Sequence, residues 1–303
     1  MSEDKIDFLG IGAPRAGTTW LWTILRQHPG IWMPPRKELH YFDRSRKYLS
    51  PNFLADDTFL QRMLGRRRGN GRFRQIFITD LAKAFLLTDY PRNIRIRWTL
   101  RYLLGTINDN WYISLFKPGG DKVKGEITPL YGILDSTDVQ HVKELFPDLK
   151  LIYLLRNPVE RSWSDLRFNW TLGKFKNMNR PDKVRAEAER LSKVPAAEYL
   201  RTISNWKAFF PEKSFFIGFY DDILLNPQDL IRRVFEFLDV DSMIKLSEEL
   251  LNNKINAAKY SDMPKDIAKI FAKNYLPQVE KLNALYQGYP SKWLTEIHDI
   301  LQQ

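Results

Sequence analysis

The most constraining feature of the sequence is a strand, a tight loop and a helix that follow one another near the start of the chain. Residues 8–12 (FLGIG) form a short apolar run, and a Gly- and Pro-bearing turn separates them from an apolar-periodic stretch over Thr18–Leu25. Gly12 and Gly17 let the backbone turn tightly and approach a ligand closely. The free N–H groups at a helix start, together with the helix dipole, favour a bound phosphate. The stretch therefore predicts an anion site.

The loop matches a nucleotide P-loop only in its first half. Thr18 stands where the P-loop lysine belongs, and only Thr19 keeps the expected hydroxyl. A Mg-dependent ATPase or GTPase is therefore disfavoured. We expect the cation to come from within the loop, from Arg15, with Thr18 and Thr19 as hydroxyl donors. An ordinary strand-to-helix turn is the alternative interpretation.

A second strand and helix repeat this arrangement farther along the chain. Residues 151–155 (LIYLL) are all apolar, as a strand buried on both faces requires. Asn157 is a typical helix N-cap, and Pro158 suits the first helical turn. We therefore expect a second strand to lead into an anion-ready helix start, with Arg156 at the junction. Two such sites in one chain are much less expected by coincidence than one.

The composition indicates a folded protein with an ample core. The chain has 303 residues, of which 44% are hydrophobic and 14% aromatic, enough for one large α/β domain or two small ones. No uncharged apolar stretch reaches about 18 residues, and the charged N-terminus is not followed by an apolar signal region. We therefore expect a cytoplasmic protein without a membrane span. Cysteine is absent, and the histidines show no metal-ligand spacing, so we expect no metal. The histidines are His28, His40, His141 and His298.

Positive charge is concentrated in one part of the chain. The formal net charge is +11, and residues 62–101 contain eleven basic residues against Asp80 and Asp89, which gives 11 − 2 = +9. This distribution predicts one basic surface rather than a uniformly basic protein. The surface could bind an acidic acceptor or nucleic acid, or it could be a solvated face.

The two loop motifs resemble those of a known enzyme family. The run APRAGTTWL after an apolar strand is similar to the 5′-phosphosulfate loop of sulfotransferases that use 3′-phosphoadenosine 5′-phosphosulfate (PAPS). Arg15 replaces the usual lysine, so the charge is kept but a planar fork replaces a point charge. The run LRNPVERSWS resembles the family's 3′-phosphate site, although Leu166 replaces the usual aromatic residue. The cofactor-binding residues implied by this resemblance are Arg15, Ala16, Gly17, Thr18, Thr19, Trp20, Arg156 and Ser164.

The segment KELHYFD at residues 37–43 carries the candidate catalytic groups. If it is extended, Glu38 and His40 point to one side, whereas Asp43 points to the other. The segment resembles the KE-x-H-[YF]-F-D motif of heparan-sulfate-type and related bacterial sulfotransferases. The resemblance implies that Glu38 is the general base and that His40 and Asp43 support it. From the residues alone either Glu38 or His40 could be the base, and a capped surface strand is the alternative.

Two further segments are assigned to the site by resemblance. The segment KVKGEITPLY is similar to the family's K-x-x-E-x-[TS]-P-x-Y motif, which implies that Glu126, Thr128 and Tyr131 line the active site. From the residues alone it could be a capped strand end. A late loop is similar in position to the one that closes over the nucleotide, with Lys259 and Tyr260 in place of the missing RKG signature.

The resemblance covers most of the chain and implies one α/β domain over residues 1–303, with a central parallel sheet flanked by helices. Apolar spacing predicts helices at 53–64, 76–87 and 94–107, and we interpret 44–117 as a mostly helical, basic insertion that covers the acceptor side.

The function implied is transfer of the sulfuryl group of PAPS to an acceptor hydroxyl, with release of 3′-phosphoadenosine 5′-phosphate (PAP). An amine is the less favoured acceptor, and no metal is required. The acceptor could be a small molecule, lipid, glycan or carrier-bound group, possibly acidic, and no nucleic acid is expected; the oligomeric state is left open. The alternatives are a P-loop-like kinase, an inactive PAP-binding protein and a basic nucleic-acid-binding protein.

Overall fold

The protein is built around one parallel β-sheet. The computed structural model describes residues 5–66, 69–86, 90–173, 175–176, 178–252 and 263–303. Within these residues the sheet has the order β2-β3-β1-β4-β5, and all neighbouring strands run parallel. The strands are β1 (Phe8–Gly12), β2 (Ile31–Trp32), β3 (Val123–Ile127), β4 (Lys150–Leu155) and β5 (Phe215–Phe219). The predicted single α/β domain with a central parallel sheet is confirmed.

Helices flank the sheet and form the insertion between β2 and β3. The helices described are α1 (Thr18–Leu25), α2 (Phe59–Leu64), α3 (Asn70–Leu86), α4 (Arg92–Leu104), α5 (Asp109–Ser114), α6 (Ser136–Leu145), α7 (Pro158–Thr171), α8 (Pro181–Ser192), α9 (Tyr199–Lys207), α10 (Tyr220–Leu225), α11 (Pro227–Phe237), α12 (Glu248–Asn252), α13 (Lys265–Tyr286) and α14 (Tyr289–Gln302). Short 3₁₀ turns occupy Lys117–Gly119, Pro129–Ile133, Pro195–Ala197 and Glu212–Ser214. None of the described helices is long and apolar enough to cross a membrane.

The central strands are apolar because both of their faces are covered. Every residue of β1 is buried, as are all residues of β4 after Lys150. A Cβ on Gly12 would lie 2.7 Å from the ring of Tyr153 in β4, so these two strands approach too closely for a larger residue. The chain leaves β1 toward β2 and β3 on one side, whereas β4 and β5 lie on the other. Ligands of open α/β sheets bind at such a switch point, outside the carboxyl ends of the strands.

The insertion contains α2 to α5, but its helices differ in extent from the prediction. The expected helix at 53–64 begins only at Phe59, because Thr58 and Gln61 form a capping box at that point. The apolar residues before it, Phe53 and Leu54, are buried in a loop. In contrast, α3 begins at Asn70, six residues earlier than expected from position 76.

The predicted basic surface is reduced because some of its arginines are buried. Arg62 is fully buried and donates to the carbonyls of Leu103 and Gly105 at 3.0 and 2.8 Å. Arg95 is also buried and donates to the carbonyl of Ala84 at 2.8 Å. These side chains donate to carbonyls at helix C-termini. Such carbonyls receive no hydrogen bond from within their own helices. Part of the charge run is therefore structural, and Arg67 and Arg68 lie outside the described residues.

Candidate active site

The first candidate phosphate loop connects β1 to α1. Arg15 and Gly17 have left-handed backbone conformations, with φ of 67° and 86°. A Cβ on Gly17 would lie 2.3 Å from Ile223 Cδ1, so both the turn and the packing require glycine. No side chain caps α1, and the amide of Leu21 bonds the carbonyl of Gly17 at 3.1 Å. The earlier N–H groups of this first turn have no acceptor within the helix and can bind an anion.

The two predicted phosphate motifs meet at the carboxyl ends of β1 and β4. Arg15 Nε lies 3.3 Å from Ser164 Oγ on α7, and Arg156 Nη1 donates to the carbonyl of Arg15 at 3.2 Å. Both guanidinium groups also stack on aromatic rings, Arg15 on Phe168 at 4.2 Å and Arg156 on Tyr220 at 4.3 Å. The adjacent parallel strands thus bring together Arg15, Arg156 and Ser164, which are far apart in the chain.

The remaining residues of the first loop differ in what they offer a ligand. Thr19 is half-buried, whereas Ala16 and Thr18 are buried. The side chain of Trp20 packs into the core, and its indole N–H donates to the carbonyl of Leu251 at 2.9 Å. Only the backbone of Trp20 can therefore face a ligand at the helix start. The late-loop candidates Lys259 and Tyr260 lie outside the described residues.

The segment at residues 37–43 is not extended, so the predicted alternation of side chains is wrong. Glu38 and His40 have φ of 64° and 55°, in the left-handed region. The resulting curved loop still places Glu38 Oε2 3.5 Å from His40 Nε2. It also brings Asp43 Oδ2 to 2.8 Å from His40 Nδ1, although alternation assigned Asp43 to the other side. Glu38, His40 and Asp43 therefore form one connected row.

The electrostatics of this row differ at its two ends. Burial would lower the pKa of His40, but the charge of Asp43 and the hydrogen bonds to Asp43 and Glu38 raise that pKa to about 9. Burial would raise the pKa of Glu38, but the hydrogen bond to His40 and the charge of Lys37 lower it to about 2. The Glu38 side chain is 37% exposed, whereas that of His40 is 6% exposed. At neutral pH the accessible end of the row is a carboxylate beside a protonated imidazole.

Glu126 lies beneath the curved loop rather than on the surface of the site. Its carboxylate accepts from Thr128 Oγ1 at 2.6 Å, from the hydroxyls of Tyr112 and Tyr131 at 2.7 Å each, and from Leu39 N–H at 3.2 Å. Glu126, Thr128 and Tyr131 are all buried, and their place in the lining of the active site stays a prediction. Glu126 and Tyr131 accept hydrogen bonds from the loop backbone, whereas Thr128 donates to Glu126. The hydroxyl of Tyr131 also accepts from Tyr41 N–H at 3.1 Å.

Sequence reasoning missed two neighbours of this region. Arg36 directly precedes Lys37 and Glu38 and pairs with Asp80 of α3. The signal for it was the pair of cations before the glutamate in PRKE. Tyr112 on α5 has no signal, because its role depends on a tertiary contact with Glu126.

The parallel sheet, with two strand-to-helix loops meeting at its switch point, defines an α/β protein whose candidate site lies at the carboxyl ends of β1 and β4. The chain belongs to the sulfotransferase domain family, whose model matches residues 5–297. The family resemblance seen in the motifs is thereby confirmed.

Two similar proteins illustrate the range of this family. The chain is 25% identical over 202 residues to heparan sulfate glucosamine 3-O-sulfotransferase 6 of Mus musculus; the match covers 60% of this chain and 57% of that relative. The chain therefore spans little more than half of the mouse enzyme. A sulfotransferase from Alicyclobacillus acidocaldarius shares the fold, with a TM-score of 0.66 and 17% identity over 95% of this chain and 98% of that one.

Proposed function

We propose that the protein transfers the sulfuryl group of PAPS to a hydroxyl group of an acceptor and releases PAP. The observation that carries this proposal is the meeting of Arg15, Arg156 and Ser164 beside the N-terminus of α1. PAPS has anionic groups at both its 5′ and its 3′ ends. Two cations and a hydroxyl from two separate loops suit such a ligand better than one with a single phosphate cluster.

The two loops would bind opposite ends of PAPS. The N–H groups at the start of α1, with Thr18, Thr19 and the charge of Arg15, would hold the 5′-phosphosulfate, and Arg156 with Ser164 would hold the 3′-phosphate. When bound, PAPS supplies an activated sulfuryl group. Arg15 and the helix N–H groups then favour the negative charge that develops on the leaving phosphate oxygen.

Glu38 is the better candidate for the general base. Both ring nitrogens of His40 face carboxylates, and its raised pKa keeps it protonated at neutral pH. Glu38 is ionised and accessible, so one of its oxygens can accept the acceptor proton. Its lowered pKa makes it a weak base in the resting enzyme. Such a base suffices if the proton moves late, because a hydroxyl oxygen that is forming a bond to sulfur becomes strongly acidic.

The acceptor side is bordered by the basic insertion. Asp80 of α3 pairs with Arg36, and the hydroxyl of Tyr90 donates to the carbonyl of Met33 at 2.6 Å. Tyr102 of α4 contacts the carbonyl of Leu39 at 3.3 Å. These contacts place α3 and α4 directly against the loop of Glu38, as a lid on the acceptor side would require. The acceptor hydroxyl could belong to a small molecule, lipid, glycan or carrier-bound group.

The Glu38→Gln variant tests the assignment of the base. With labelled PAPS and an acceptor found by screening, we expect turnover to fall by about 100-fold or more while PAP affinity is unchanged. Glu38→Gln is close to isosteric, so the fold should be kept. If His40→Ala abolishes turnover and Glu38→Gln is mild, His40 is the base instead.

A further inference from the structure

Helix α3 carries an apolar stripe that faces water. Its inner side packs through Phe73 and Ala84, which are buried. On its outer side Ile78 is 69% exposed, Phe85 48% and Leu86 78%. Together with the exposed Ala82, these residues have the spacing i, i+4, i+7 and i+8, which places them on one face of a helix. Helix α3 is therefore apolar on two sides, and only one of them is covered within the described structure.

Cations border the outer stripe of α3. By helical periodicity Arg74 lies along the same border of the stripe as Phe85, about three turns away, whereas Arg72 and Lys83 lie along the opposite border, on the side of Leu86. Arg72, Arg74 and Lys83 are all exposed, and Arg74 also donates through Nη1 to the carbonyls of Met63 and Gly65. The guanidinium of Arg92 at the start of α4 lies 5.5 Å from the ring of Phe85, so the basic border continues onto the next helix. We call this surface the α3 outer face: Arg72, Arg74, Ile78, Ala82, Lys83, Phe85, Leu86 and Arg92.

Acidic side chains do not offset this charge. Over the described part of residues 59–104, the acidic residue is Asp80, which is mostly buried and pairs with Arg36. The exposed cations of the same range are Arg66, Arg72, Arg74, Lys83, Arg92, Arg97 and Arg101. The field outside the α3 outer face is therefore positive, and a partner should be anionic.

We propose that the α3 outer face docks on an anionic phospholipid membrane, with α3 lying in the plane of the interface. A bilayer uses both parts of the pattern, because the apolar stripe enters the boundary of the acyl chains while the long cationic side chains reach the headgroups. A second copy of the chain fits less well, since a twofold contact would set the two rows of cations against each other. An acidic protein would match the cations, but its acidic surface would not cover the three exposed large apolar residues.

Docking would act close to the candidate active site. Asp80, on the other side of α3 from the apolar stripe, pairs with Arg36, two residues before Glu38. The proposal concerns where the protein binds, however, and not which reaction it catalyses. Its test needs neither PAPS nor an acceptor, so its failure would leave the proposed function untouched.

Vesicle co-sedimentation of the full chain tests the proposal. We expect binding to vesicles that contain phosphatidylglycerol, much weaker binding to pure phosphatidylcholine, and loss of binding in high salt as the charges are screened. Replacing Arg72 and Lys83 by Gln should weaken binding about 25-fold, roughly fivefold for each cation. Light scattering on each variant without vesicles reports the oligomeric state.

A matched pair of variants distinguishes binding through the stripe from binding through any exposed apolar residue. Leu86→Glu should reduce binding strongly, whereas Met243→Glu should not, although Met243 is 81% exposed and lies in a different part of the fold. Equal thermal unfolding of the two variants shows that both are folded. Absence of binding to either vesicle, equal effects of the two variants, or a dimer that Leu86→Glu breaks would each overturn the proposal.

Discussion

His40 lies between two carboxylates, and this position decides what each of the three side chains can do. Asp43 fixes Nδ1 at 2.8 Å, so Nε2 points toward Glu38 at 3.5 Å. With its pKa raised to about 9, His40 remains a cation at neutral pH and cannot accept a proton there. It can instead orient Glu38 and stabilise its charge.

The pH dependence of turnover should report the charge of His40. If protonated His40 positions Glu38, kcat falls as pH rises through about 9, because the imidazole loses its proton and its charge-assisted bond to Glu38. A kcat profile measured at saturating PAPS and acceptor checks this. Activity that rises through the same range would mean that neutral His40 is the base.

Removing Asp43 should shift that profile. Asp43→Asn takes away the charge that most strongly raises the pKa of His40, so the alkaline fall in kcat should move to lower pH. NMR titration of the His40 ring gives an independent readout. The His28 ring provides a control signal, because its nitrogens contact backbone atoms of Gly30 and Asp241 and do not contact Asp43. An unchanged His40 titration in Asp43→Asn would contradict the account.

At the scale of elements, β3 and the turn after it hold the loop of residues 37–43 in a conformation that its residues do not favour alone. Positive φ at residues such as Glu38 and His40 costs about 1–3 kcal/mol each. The buried carboxylate of Glu126 and the hydroxyl of Tyr131 bond the amides of Leu39 and Tyr41 and thereby stabilise the curve. Burial raises the pKa of Glu126, although the bonds from Thr128, Tyr112 and Tyr131 oppose that change.

Glu126→Gln should therefore affect both stability and catalysis. The amide can no longer accept every bond that the carboxylate accepts, so we expect a loss of about 1–3 kcal/mol in the free energy of unfolding in urea. We also expect kcat to fall while PAP affinity stays unchanged, because the loop of Glu38 is displaced and the phosphate loops are not. Lost stability with an unchanged kcat would show that this network serves only the fold.

The phosphate loop offers a test with a matched control. Gly17→Ala adds a Cβ 2.3 Å from Ile223 at φ 86°, whereas Gly120→Ala adds one in open space at φ 55°. Both variants place alanine at a positive φ that favours glycine, so both should lower the stability of the fold. Only Gly17→Ala should also weaken PAP binding, as measured by calorimetry. Equal PAP affinities in the two variants would contradict the assignment of this loop.

The sequence predicted the first strand and helix well and the loop of residues 37–43 poorly, for physical reasons. The helix Thr18–Leu25 and the strand Phe8–Gly12 have the predicted bounds, because Gly17 and the apolar pattern determine where they end. Side-chain alternation at residues 37–43 assumed an extended backbone, but hydrogen bonds from distant residues impose positive φ. The burial of Arg62 could not be predicted either, since two of its carbonyl partners, Leu103 and Gly105, lie at the end of α4.

At the scale of the whole molecule, the fold separates two regions of positive charge. Arg15 and Arg156 lie at the carboxyl ends of β1 and β4, whereas the exposed cations near α2 to α4 belong to the insertion. The two regions should therefore act on different ligands. We expect the second region to act on the acceptor.

Charge reversal in the insertion should affect the acceptor alone. Substituting Glu for Arg66, together with Arg67 and Arg68, should raise KM for an anionic or membrane-presented acceptor without changing PAP affinity. The effect should shrink as salt shortens the Debye length from about 10 Å at 0.1 M to about 3 Å at 1 M. If acceptor KM is indifferent to both the substitution and salt, the basic run is a solvated face.

The central claim is that the two loops form one site for a nucleotide with phosphate at both ends. Thermal unfolding in the presence of PAP, of AMP and of ATP with Mg²⁺ tests it most directly, because a ligand that binds only the folded state raises Tm. We predict a clear rise with PAP, a much smaller rise with AMP, which lacks the 3′-phosphate, and loss of the PAP effect in Arg156→Ala. Equal shifts with PAP and AMP, or a larger shift with ATP and Mg²⁺, would contradict the account.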